Sequence, residues 1–82
     1  MNKEYILYNL KEALKQLSNT IHDLETDKNY EYGDFRVDME HLYHHVNTAW
    51  NAKNSSKEES RECSESNFQI WRQFPVDIDL IV

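Results

Sequence analysis

Leu7-Tyr8-Asn9-Leu10-Lys11-Glu12-Ala13-Leu14-Lys15-Gln16-Leu17-Ser18-Asn19-Thr20-Ile21-His22-Asp23-Leu24 is the stretch whose reading decides the fold. Its apolar residues Leu7, Leu10, Leu14, Leu17, Ile21 and Leu24 recur at alternating steps of three and four, the spacing of one narrow seam along an α-helix. Such a seam has to be buried against something. The surrounding residues contain no Gly or Pro and are rich in Leu, Lys, Glu, Gln and Ala, so a helix is predicted over 3–25 with Asn2 as its N-cap.

Outward from that helix, Thr26 to Gly33 breaks the period, and Gly33, the only glycine, is expected to supply the reversal. With Asp34 as cap, a second helix is predicted over 35–53. Its stripe Phe35, Met39, Leu42, Val46 and Ala49 again steps by four and three. Antiparallel folding would bring Leu24 near Phe35, Ile21 near Met39, Leu17 near Leu42 and Leu14 near Val46. The two stripes are therefore expected to bury each other, leaving Leu7, Leu10 and Trp50 at the open end.

The polar run 54–63 reads as a linker, although Ser56 with Glu59 three residues on matches a capping box and would start a helix earlier. A third helix is predicted over 64–74, carrying Phe68 and Trp71 to cover the open end and stopped by Pro75. In the tail 75–82, Val76, Ile78, Leu80 and Val82 alternate with Asp77 and Asp79, the period of a half-buried strand or extended arm. The expected fold is a mainly α single domain, 1–82: an antiparallel helical hairpin, a shorter third helix and an extended or strand-like C-terminal tail.

A chain of 82 residues has a thin core and needs a staple or a partner. Cys63 is the only cysteine, which excludes an internal disulfide and suits a reducing, cytoplasmic setting. The start MNKEYILYNLKEALK spells neither a signal peptide nor a membrane span. Net charge is -6, and between Asp23 and Glu40 seven carboxylates face only Lys28 and Arg36. That balance, with no Lys/Arg cluster elsewhere, argues against a nucleic-acid partner. A basic protein partner would fit the acidic stretch, as for an antitoxin-like regulator.

The chemistry-bearing stretch is His41-Leu42-Tyr43-His44-His45. His41 and His45 stand at i, i+4, the spacing two imidazoles need to reach one metal ion, and Glu40 with His44 forms a second such pair. The first helix offers only Glu12, His22, Asp23 and Glu25 as further ligands, and they do not converge in the expected register, so no metal or other cofactor is expected. Asp27 to Asp38 alternates oxygen side chains like a calcium loop, but its glycine falls one place late and its last acid is Asp instead of Glu. Cys63, between Glu62 and Ser64, lacks the electropositive setting of a reactive thiol. Tyr43, His44, Asn47, Trp50 and Asn51 combine aromatic bodies with hydrogen-bonding groups and are the expected interaction residues. The function expected is a non-catalytic protein-interaction or assembly module, self-associating as a homodimer or binding another protein. The alternatives are a metal-binding protein or metal-dependent enzyme built on His41 and His45, and the acidic regulator named above.

Overall fold

A computed structural model describes residues 1–81; Val82, the last residue of the expected tail, lies outside them. The described residues form α1 (Lys3–Thr26), α2 (Tyr32–Asn51), α3 (Lys57–Glu62) and α4 (Glu65–Trp71), with α1 and α2 as a long helical hairpin and no strand. Asn2 caps α1 as its sequence position implies, accepting a hydrogen bond from the Tyr5 amide at 3.1 Å. The Asn2 amide also donates to the Lys53 carbonyl at 2.6 Å and so ties the start of α1 to the end of α2.

Helix α2 begins earlier than the sequence suggests. Glu31 is its N-cap and Asp34 sits at N3, closing a reciprocal capping box. Gly33 therefore lies inside the first turn of α2 and has no positive φ. The reversal is made instead by Asp27, whose side chain accepts from the Asn29 amide at 2.9 Å and whose carbonyl accepts from the Tyr30 amide. Tyr30 then donates to Asp38 at 2.7 Å and pins the loop to α2.

The expected linker 54–63 holds a helix. Ser56 and Glu59 form the capping box that opens α3, and the helix stops at Cys63, a left-handed residue at φ 40°. Helix α4 then ends at Trp71, three residues short of Phe74. Trp71 is buried and packs against Tyr5 with ring centroids 5.8 Å apart, so an aromatic residue does cover the hairpin's open end.

The tail shows no strand up to Ile81, and Val76, Leu80 and Ile81 stand almost wholly in water. Period-two alternation makes a strand only when a neighbouring edge can pair its amides, and an all-helical chain offers none. The first part of the tail is held by a side chain instead: the Trp50 indole donates to Asp77 at 2.9 Å.

The largest departure from expectation is the hairpin interface. The residues buried along α1 are Asn9, Ala13 and Thr20, and those along α2 are His45, Asn47, Thr48 and Ala49. Leu7, Leu10, Leu14, Leu17, Ile21 and Leu24 remain 43–63% exposed, and of the α2 stripe Phe35 and Val46 are exposed, Met39 and Leu42 half-buried and Ala49 buried, so the leucine stripe is not buried against α2. Ala13, Ala49 and Ala52 leave little side-chain volume between the helices, and such close packing tolerates no added methylenes. Ala49→Leu is therefore expected to destabilise the chain by about 1 to 3 kcal/mol in urea denaturation, with the helical end state retained.

Candidate functional site

Polar pairs hold the hairpin together. Asn9, only 2% exposed, donates its amide to the Tyr5 carbonyl at 3.0 Å, and its oxygen accepts from Nδ1 of His45 at 3.1 Å. Two turns further along α1, Gln16 donates to Thr20 at 3.0 Å and accepts from Nδ1 of His41 at 2.6 Å. Since an amide oxygen only accepts, both imidazoles carry their proton on Nδ1.

His41 and His45 thus act as cross-helix hydrogen-bond donors, with ring centroids 4.9 Å apart. Among the described residues no group of three or more His, Cys, Asp or Glu side chains is placed to hold a metal ion. Burial lowers the pKa of both His44 and His45. Charge on His41 and Arg72 adds to the effect at His44, and charge on His44 and His41 adds to it at His45, where Glu12 opposes it.

The expected interaction residues are engaged within the chain. Asn47 donates to the Arg72 carbonyl at 3.0 Å, and Asn51 reaches the carbonyls of Trp71 at 2.8 Å and Gln73 at 2.6 Å. These are orphan acceptors at the end of α4, and the two asparagines satisfy them. His44 packs on Phe68 at 5.0 Å and Tyr43 meets Phe74 edge-on at 5.1 Å. Trp50 lies beneath the Lys53 ammonium, 4.0 Å from its ring centroid, while its indole holds Asp77. All five therefore latch α4 and the tail onto α2.

Between α1, α3 and α4 lies a cleft of about 460 Å³ whose walls include Tyr5, Tyr8, His44, Arg61, Phe68 and Trp71. The Tyr5 hydroxyl donates to the sulfur of Cys63 at 3.8 Å; burial and that contact push Tyr5 up to about 12, so it stays a neutral donor. In the wall of that cleft His44 Nδ1 is buried without a hydrogen-bond partner among the described residues.

The opposite side of the hairpin is bare. At about 100° per residue, the leucine stripe lies roughly a quarter-turn round α1 from the Asn9–Ala13–Thr20 line. Phe35, Met39, Leu42 and Val46 lie roughly a quarter-turn in the same sense from the His41–His45 line of α2. Because the helices run antiparallel, equal rotations bring both stripes to one side. His44, Asn47 and Asn51 are rotated the other way, so α4 covers the far side.

The sequence showed the stripes but not this placement. The signal that locates it is the second line on α1, Asn9, Ala13, Gln16 and Thr20, whose small and amide side chains also recur at helical spacing. Comparison with protein-family models, curated proteins and solved structures gave no match. No helix among the described residues is long and apolar enough to cross a membrane.

Two outcomes follow from this geometry. Asn51→Ala, which frees two carbonyls, is expected to cost about 1 kcal/mol and to raise hydrogen exchange selectively in α4. For His44 and His45 the unfolded chain takes up protons first as pH falls, because their folded pKa lies below 6.5. Their contribution is complete above pH 6.5 and lost as pH drops through the lowered folded values. Calorimetry should show Tm falling below that point, and a doubly substituted His44→Gln, His45→Gln chain should show a flatter profile.

Proposed function

We propose that this protein is a small, non-catalytic association module whose working surface is the bare apolar face of the hairpin. The observation that carries this reading is the exposure of all six stripe residues of α1, on one side, beside Phe35 and Val46 of α2 at 39% and 43%. Contiguous exposed apolar rows of this length mark interaction surfaces more often than ordinary monomer surface. Scattered exposed leucines are ordinary, but six in a continuous helical row are the mark of an interface.

The same face explains how so short a chain can retain so many leucines. The hairpin and α4 form two layers around small and polar residues, and most of the large aliphatic side chains lie outside them. A third layer supplied from outside completes the burial. Partners with an apolar helical face fit this surface, a second copy among them.

The test is to place a charge on the face. Leu14→Glu and Leu17→Glu chains are expected to keep the parent's helical circular dichroism, because both side chains are exposed in the single chain, and to lose its assembly in sedimentation. Assembly that survives the charges would overturn the reading. So would loss of helicity, which would make the leucines the chain's own core.

A further inference from the structure

The occupant of the apolar face follows from three features of the hairpin. The first is symmetry of spacing. Reading Leu7, Leu10, Leu14, Leu17, Ile21 and Leu24 from either end gives the same steps, three, four, three, four, three. On α2 Ala49 is buried inside the hairpin, and the rest of the stripe, Phe35, Met39, Leu42 and Val46, reads four, three, four from either end. A stripe that reads alike in both directions is complementary to itself when turned end for end.

The second feature is the level of the two centres. The α1 stripe is centred between Leu14 and Leu17, at the level of Gln16, and the α2 stripe between Met39 and Leu42, at the level of His41. Gln16 and His41 are hydrogen-bonded to each other. One line drawn across the hairpin at that bond therefore passes the level of both centres, and a two-fold axis parallel to it, lying on the apolar face, serves both helices at once.

The third feature is charge. Within the hairpin the loop end carries Asp23, Glu25, Asp27, Glu31, Asp34 and Asp38 against Lys28 and Arg36, whereas the open end carries Lys3, Lys11, Lys15 and Lys53 against Glu4, Glu12 and the Asp77 held at Trp50. A two-fold axis running along the helices would also match the stripes, setting α1 on α2 of the other copy, but it stacks acidic end on acidic end. The crossing axis lays each acidic loop end over the other copy's lysine-bearing open end.

We infer that the face is covered by a second copy of this chain, related by a two-fold axis crossing both helices at the level of Gln16 and His41, with α1 antiparallel on α1 and α2 antiparallel on α2. This rests on the docking reading above and names its partner and register. Leu14 meets Leu17 of the second copy, Leu10 meets Ile21, Leu7 meets Leu24, and Met39 meets Leu42. The product is a four-helix layer pair with an α4 on each outer side.

Disulfide trapping tests the register in a Cys63→Ser background, where the only native thiol is gone. Chains carrying Leu10→Cys are mixed with chains carrying Ile21→Cys and oxidised in air. The expected result is a cross-linked species of twice the single-chain mass from this mixture and little from either chain alone, because like positions lie several turns apart. Cross-linking of Leu10→Cys with Val46→Cys in its place gives the axis along the helices and overturns the register while leaving the face in use. A parent chain that stays at single-chain mass at high micromolar concentration overturns the second copy as occupant and leaves the face to another helical partner. The docking reading itself falls only on the charged-face variants described above.

Discussion

Two hydrogen bonds across the hairpin, His41 to Gln16 and His45 to Asn9, set the rotation of each helix about its own axis, and that rotation decides which side chains reach water. A buried amide and a buried imidazole each need a partner, and leaving either unpaired costs about 1 to 3 kcal/mol. Turning the leucines inward would carry Asn9, Gln16 and Thr20 toward solvent and break both bonds. Polar satisfaction on the inside and apolar exposure on the outside are thus one choice, made once for the whole length of the hairpin.

The rest of the architecture hangs on that rotation. With His45 turned inward, His44, Asn47 and Asn51 point to the far side of α2, where they receive α4 and satisfy the carbonyls at its end. With Asn9 turned inward, Tyr5 faces the same far side and supplies the wall on which Trp71 rests and the hydroxyl that meets Cys63. The left-handed turn at Cys63 joins α3 to α4 directly above that contact. One side of the hairpin is therefore roofed by short helices, and the other keeps the two apolar stripes in register with each other.

His41 and His45 donate hydrogen bonds across the hairpin. His45 is 8% exposed and bound to Asn9, and burial lowers its pKa, which favours the neutral imidazole in a hydrogen bond inside a hairpin. The i, i+4 spacing that would serve a metal site here serves two rungs of a polar ladder, met on α1 by Asn9 and Gln16, two turns apart.

Local signals in the sequence determined the elements. Asn2 as cap, the Ser56–Glu59 capping box, the long uninterrupted first helix and the antiparallel return all act within a few residues, through backbone groups that find their partners nearby. The sequence also showed that each long helix carries one apolar stripe. It could not show what each stripe faces, because periodicity says that a face is to be buried and not against which surface. Only the tertiary structure decided that Asn9, Ala13, Gln16 and Thr20 form the inner line, that the asparagines of α2 hold α4, and that the period-two tail finds no edge to pair with. Those outcomes depend on hydrogen bonds between residues far apart in the chain, His45 with Asn9 and Asn47 with the carbonyl of Arg72, which exist only once the helices stand side by side.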